Sequence, residues 1–586
     1  MLKKVVRVSL LFIGVLIAFA IFQAIRPPEA LVVSPSTTIV MEPLRPDGTP
    51  DYGKFVLSKW REGVTPENNG AVPFWKAFWP SDLSPEKQAV IQRELQFTAD
   101  PTKAPFRIKG RELWDQVRRA IVEKSIDDEM GMMSSMDEGA SPVDITSMIQ
   151  GAITSQPWTR AQLPMVADWI DRHAEDYEWL QQAATAERFY SPPALLLTDP
   201  DASLTDAFLD VELTPMRDAS EALAARIMLR IGEKQYAAAW DDCLTGLRLS
   251  DQIPDSGVFS RLIQFAVRGA MFRAANELLS EDLPKELVNQ IIKDLDSFQW
   301  NREMAGSIDT FERMAALDLA VSTRPSEESS NERSAKQLTF YNRFVDRNVT
   351  VEHINSFYDE SAEALRAANY RDRQKMLLAF EDRLAAEHEA ILLNAAKSIF
   401  SRSARAKTLL STYLYLLTPA IAAASTAEDR IVLDERFTRL HAKLAAYRKE
   451  HGEYPDQLAQ LAEVAGDTIN DPVFEGSLKY RRTSDGFLLY SLGSNQQDND
   501  GSNARMDKWQ GWDLSDENGS LLTYIAKMDS ENDPATANVQ PESDSATPSK
   551  PQIPMDADDH SLRIHRYRKD LSDASKSLLE LEVTLP

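Results

Sequence analysis

Cysteine is almost missing from this chain of 586 residues, in which Cys243 stands alone. A single thiol forms no intramolecular disulfide, no Cys–His zinc cluster and no paired-thiol redox centre. Histidine is sparse as well: His173, His353, His388, His441, His451, His560 and His565 are the full set of 7. None of them falls in an H-E-x-x-H arrangement, and Glu387-His388-Glu389 reads as the solvated face of a charged helix. Sequences of the G-x-S-x-G, Walker and G-x-G-x-x-G kinds are absent, so the fingerprints of a nucleophile elbow, a phosphate loop and a dinucleotide fold are all missing. Glycine is limited to 22 residues while Ala, Leu, Glu, Asp and Arg abound, a balance that favours helix over sheet. Basic residues are outnumbered, 65 against 90 acidic ones, for a net charge of −25. That surplus disfavours nucleic acid or an anionic membrane surface as partner and suits solubility.

The longest apolar run lies at the start. Lys3, Lys4 and Arg7 precede residues 8–25, and Arg26-Pro27-Pro28 ends the stretch. About 18 residues at ~1.5 Å each just cross a hydrocarbon core of ~30 Å. The basic flank places the N-terminus in the cytoplasm and the acidic body on the periplasmic side of the inner membrane. Ala18-Phe19-Ala20 also fits a signal-peptide cleavage site, which would release a secreted body. The apolar run continues past that point through Ile21, Phe22 and Ile25, which favours an uncleaved anchor in contact with the lipid bilayer.

At this length two to four domains are expected. Residues 27–80 read as a Pro-rich, irregular segment carrying Trp60, Phe74, Trp75, Phe78 and Trp79, with a helix start at Thr65-Pro66-Glu67. The default role of those rings is to dock the segment on the body. Residues 81–425 read as a helical body. Within it, residues 219–300 have Ala222, Ala225, Met228 and Leu229 on one helical face, Gly232 in a turn, and Tyr236, Ala239, Trp240, Leu244 and Leu247 on the next. That spacing resembles tetratricopeptide-type helical hairpins, with further helices at 259–279 and 284–298. Such units must stack on neighbours, and their grooves are the candidate surfaces for protein partners. The apolar run at 409–424 is too short for a second span and reads as a buried helix, with a separate helix after Thr426.

Two phrases in the chain, Asp51-Tyr52 with Glu62-Gly-Val-Thr-Pro-Glu-Asn-Asn-Gly and Ile231-Gly-Glu-Lys-Gln-Tyr-Ala-Ala-Ala-Trp, resemble large membrane-anchored proteins of planctomycete bacteria, a family without an assigned activity. Residues 426–526 read as a small α+β module. Leu433, Phe437, Leu440, Leu444 and Tyr447 form a narrow helical stripe, Gly452 and Pro455 end it, and Ser484-Asp485-Gly486 turns a hairpin. Over residues 429–513 this order of helix, Tyr-Pro, Asp-Pro and Tyr-bearing hairpin resembles the globular part of type II secretion pseudopilins. The resemblance implies a calcium loop after the hairpin, at Asp498, Asp500, Asp507 and Asp513. Gln496-Gln-Asp498-Asn-Asp500-Gly501 also looks like an EF-hand start with Gln in the first ligand position, and the bland alternative is an Asn/Asp/Gly turn. The pilin processing signature is absent at the N-terminus. Residues 527–561 read as a disordered linker and 562–586 as a C-terminal segment with a short helix.

The expected fold class is therefore mainly α: a helical-hairpin ectodomain after one N-terminal transmembrane helix, ending in a small α+β hairpin module. No catalytic residue and no cofactor other than Ca²⁺ is indicated. A structural or protein-interaction role leads. A pilin- or type II secretion-related machine is the alternative, and a carboxylate-dependent hydrolase the second alternative, which a pocket gathering two carboxylates of shifted pKa would support.

Overall fold

The structure, a computed structural model, describes residues 14, 19, 22, 29–79, 83–99, 106–110, 113–117, 119, 150–199, 202–209, 214–298, 304–321, 345–461, 466–474, 476–484, 486–493, 498 and 560–564. The chain is mainly helical with a small antiparallel sheet near its C-terminal end. Among the described residues no helix is long and apolar enough to cross a membrane. The 8–25 run lies outside them except for Gly14, Phe19 and Phe22, which are helical and exposed.

Two helices interrupt the Pro-rich segment expected to be irregular: α1 (Tyr52–Arg61) and α2 (Ala71–Phe78). Asp51 caps α1 by accepting the Lys54 N–H at 3.0 Å. The start expected at Thr65-Pro66-Glu67 is a turn instead. Asn68 Oδ1 accepts the Thr65 N–H at 2.8 Å, and the Asn68 amide donates to Gly63 at 3.0 Å. Gly70 is the N-cap of α2, and Asn69 before it accepts the Ala71 N–H at 3.1 Å. Local side-chain bonds thus move the helix start past the proline. Phe74, Trp75 and Phe78 of this segment belong to the main core, and Trp60 and Trp79 pack against it partly buried: Phe74 and Phe78 stack 5.2 Å apart, and Trp60 lies 5.8 Å from Phe311.

The helices α3 (Pro85–Leu95), α4 (Pro164–Arg172), α5 (Ala174–Thr185), α6 (Ala194–Thr198) and α7 (Leu204–Leu209) lead into the helical hairpins. These are α8 (Thr214–Gly232), α9 (Tyr236–Gln252), α10 (Val258–Leu279) and α11 (Lys285–Ser297), close to the expected limits. A buried polar knot fastens the first pair. Asp242 accepts from Arg226 Nε at 2.8 Å and from Arg230 at 2.6 Å, while the Arg226 guanidinium lies 3.6 Å over the Tyr177 ring. Then come α12 (Met304–Ser307), a π-helical turn at Ile308–Glu312, α13 (Arg313–Val321), α14 (Arg347–Leu365) and α15 (Tyr370–Phe400).

One continuous helix, α16 (Arg402–His451), replaces the two expected around Thr426. Its 50 residues make it about 75 Å long at ~1.5 Å per residue. Ser401 caps its start through the Ala404 N–H at 3.2 Å, and Gly452 ends it at φ 84° with its N–H on Arg448. The apolar run read as a buried helix lies within it, with Leu414, Thr418, Ile421 and Ala424 buried and Ala420 and Ala423 exposed. Beyond it, β1 (Lys479–Arg482) and β2 (Phe487–Ser491) form the expected hairpin, with Arg482 opposite Phe487. The expected helix after Leu562 is corrected in part: β3 (His560–Ile564) pairs antiparallel with β2, Ser491 opposite His560. A two-stranded hairpin leaves one edge of β2 with unpaired N–H and C=O groups, and a late segment of the chain fills it. This makes β2 the central strand, and Phe487 and Leu489 are 0% exposed.

The main hydrophobic core is continuous from Val40 to Ala445, and a second joins Leu433, Phe437, Leu440 and Leu444 to Tyr454, Leu458, Leu461, Phe474, Leu478, Phe487 and Leu489. The stripe read from the sequence is the helical wall of that second core.

At Gly232, where α8 turns into α9, a Cβ would lie 2.0 Å from the Trp158 carbonyl oxygen. Backbone cannot yield as a flexible side chain can, so Gly232→Ala is expected to destabilise the chain by about 1–3 kcal/mol. The measurement is the shift of the thermal or urea unfolding midpoint against wild type.

Candidate functional site: the cleft between body and C-terminal module

A cleft of about 460 Å³ opens where the N-terminal end of α15, the middle of α16 and the 471–474 loop meet. Arg373, Glu428, Asp429 and Asp471 bring charge to it, and Tyr370 and Phe474 supply an aromatic wall with ring centroids 4.6 Å apart.

Each carboxylate is already engaged by the protein. Glu428 Oε1 accepts the Met304 N–H at 3.1 Å, which serves the first turn of α12. Asp429 pairs with Arg373 across from α15, while its Oδ2 is buried and meets no donor. Asp471 Oδ1 accepts the N–H groups of Val473 at 2.9 Å and Phe474 at 2.8 Å, which shapes the loop that closes the cleft. Adjacent positions on a helix point about 100° apart, so Glu428 and Asp429 turn to different neighbours.

Burial is the main electrostatic fact here. It raises Glu428 from the usual glutamate value of 4.5 to about 7, against the opposing Met304 N–H and with the neighbouring Asp429 adding to the rise. Burial also lifts Asp429 to about 6, outweighing Arg373. A carboxylate that takes up its proton near neutrality can act as a general acid or base. The cleft therefore gathers two carboxylates of shifted pKa, as a carboxylate-dependent hydrolase would require, and holds both on helix-capping and ion-pair duties.

A second polar feature lies behind the sheet. His441 is 0% exposed, and its Nδ1 lies 2.9 Å from Asn276 Oδ1. The Asn276 amide nitrogen donates to Phe272 O at 2.9 Å and Thr438 Oγ1 at 3.0 Å, so its oxygen is the acceptor and His441 Nδ1 carries the proton. Burial, helped by Arg448, pushes His441 down to about 3, so the ring stays neutral edge-on to Phe487 at 5.3 Å. It is a seam between α10, α16 and the sheet. Cys243 is fully buried and burial pushes its thiol up, away from the reactive thiolate.

Of the residues expected to bind calcium, Asp498 accepts the Tyr490 hydroxyl at 2.8 Å. Asp500, Asp507 and Asp513 lie outside the described residues. Among the described residues no three His, Cys, Asp or Glu side chains gather in an arrangement that could hold a metal ion. His173 sits between α4 and α5 with Nδ1 2.7 Å from Asp176. His388 stacks on Tyr415 at 5.3 Å. Sequence reasoning missed the cleft because Glu428 and Asp429 are two acids among 90, and nothing in their spacing tells them from a solvated pair.

Comparison with family models, curated proteins and solved structures finds no match to this chain.

The Glu428 shift has a stability consequence of defined sign. A carboxyl whose folded pKa is raised contributes stability that is fully present below the unfolded value of 4.5 and is lost as pH rises through about 7. Glu428→Gln keeps the oxygen that accepts the Met304 N–H and removes the charge. The variant is expected to be more stable than wild type at pH 8, by up to about 3 kcal/mol, with the two converging near pH 4.5. Parallel unfolding curves of the full chain across pH 4.5–8.5 measure it, within about that range.

Proposed function

We propose that this protein is a membrane-anchored extracytoplasmic protein with a structural or protein-interaction role, held by residues 8–25 with its body on the periplasmic side. One observation supports the role above others: α16 contributes side chains to both hydrophobic cores, so the stacked hairpins and the α+β module are carried on a common spine. A long helix shared by two cores is a means of presenting surfaces at a set spacing. The engaged carboxylates of the cleft fit a junction within such a scaffold.

A second reading, a component of a pilin- or type II secretion-related envelope machine, draws on the module. The Gly452 cap, Tyr454 buried with its ring 5.0 Å from Phe487, and a hairpin laid on the end of α16 support the resemblance of residues 429–513 to pseudopilins. The hydrolase reading draws on the Glu428–Asp429 cleft.

Immunoblotting of carbonate-washed membranes is expected to find the intact chain in the pellet; a shortened soluble product overturns the anchor. Affinity purification from solubilised membranes then separates the first two readings, because secretion subunits co-purify only under the second. If the loop of Asp498, Asp500, Asp507 and Asp513 binds calcium, Ca²⁺ raises the unfolding midpoint of the full chain and chelation reverses it. An unchanged midpoint up to millimolar Ca²⁺ (about 10⁻³ M, the weak end of extracellular sites) ends the calcium proposal.

A further inference from the structure

Exposed apolar side chains are unevenly distributed. Among the described residues eight large hydrophobic side chains are exposed, and six of them lie between residues 19 and 44: Phe19, Phe22, Val32, Ile39, Met41 and Leu44. The other two, Phe259 and Leu378, are isolated in sequence. Within residues 29–44 the division of faces is sharp. Thr38 and Val40 are 0% and 1% exposed, while Ile39 and Met41 between and beside them are 39% and 49% exposed. Val32 and Leu44 add 55% and 48%.

This segment is held on the body by its backbone. Asn348 on α14 accepts the Val32 N–H at 2.9 Å and donates to the Ala30 carbonyl at 3.0 Å. Asn355 on the same helix donates to the Thr37 carbonyl at 2.8 Å, and the Tyr52 hydroxyl donates to the Thr38 carbonyl at 2.7 Å. Fastened in this way, the inner residues Thr38 and Val40 are buried, while Val32, Ile39, Met41 and Leu44 stay exposed within one short stretch of chain. Exposed apolar residues gathered in one place mark an interaction site, whereas scattered ones do not.

We propose that residues 29–44 form a foot that rests on the lipid surface next to the membrane anchor, with Val32, Ile39, Met41 and Leu44 dipping into the headgroup–acyl boundary. The proposal rests on the anchor reading of residues 8–25. Continuity of chain selects lipid as the occupant. Arg26 closes the apolar run, and the six residues from it to Val32 reach at most about 20 Å when fully extended. Phe22, still within the run, is 59% exposed. Residues 29–44 include Glu29 and Glu42 and no Lys or Arg. Attraction to anionic headgroups therefore does not drive the contact. Apolar burial does, and the contact is insensitive to lipid charge and to salt.

The test uses the full chain with Met41→Cys, labelled with the fluorophore NBD and reconstituted into phosphatidylcholine vesicles; Cys243 is 0% exposed and does not compete for the label. Spin-labelled lipid is expected to quench the probe, iodide is expected to have no access, and added salt is expected to change neither. Adding Ile39→Ser and Leu44→Ser to that chain should abolish the lipid quenching while the chain still sediments with the vesicles. A chain that sediments with vesicles while its probe is quenched by iodide overturns the foot and leaves the anchor standing. A probe reached by neither quencher means a protein covers the patch, and also overturns it. A chain that fails to sediment removes the anchor, and the foot with it.

Discussion

Leu433, Phe437, Leu440 and Leu444 look into the core of the C-terminal module, while Ile431, Ala442 and Ala445 on the same helix belong to the core of the body. Neither core is complete without α16. Apolar burial is non-directional, but a helix converts it into geometry, because side chains roughly 100° apart must find different partners. The module is consequently packed against the body along a buried wall. Small residues on the body side, Ala442 and Ala445, and large ones on the module side, Phe437 and Leu440, let the helix lie close to α10 and still fill the space under the sheet.

Polar groups taken inside by this arrangement need partners, and the seam meets that need in part: His441 Nδ1 is paired with Asn276, while its Nε2 is buried without a partner. His441, Asn276 and Thr438 form a neutral set in which charge is avoided altogether. At the cleft the solution differs. Glu428 and Asp429 retain carboxyls close to the surface of the junction, where desolvation makes the charged form expensive and shifts their protonation toward neutrality. In the hairpins, Asp242 is compensated by two arginines, and the aromatic face of Tyr177 shields one of them.

The parts of the fold that were legible are those where period and punctuation agree. The hairpins between 219 and 300 were readable because Gly232 interrupts two apolar faces, and the stripe ending at Gly452 was readable because its spacing is regular and its cap is specific. The helices α1 and α2 were hidden among prolines, since the side chains that serve their first turns, Asp51 and Asn69, lie beside turns that look alike in a linear chain. The break expected near Thr426 does not exist because packing on both flanks carries the helix through residues of modest propensity. Of the expected calcium residues only Asp498 is described, as the acceptor of Tyr490.

The sequence by itself determined the helical class, the net acidic charge, the single cysteine and the positions of the strongest caps, because these depend on composition and on neighbours within a few residues. Only the tertiary structure decided that one helix serves two cores, that β3 closes the hairpin's free edge, that Glu428 and Asp429 stand in a cleft, and that Val32, Ile39, Met41 and Leu44 are exposed while Thr38 and Val40 among them are buried. Each of those joins groups distant along the chain, or chooses between two faces of one segment. Desolvation and close packing make that choice, and neither exists before the chain has folded.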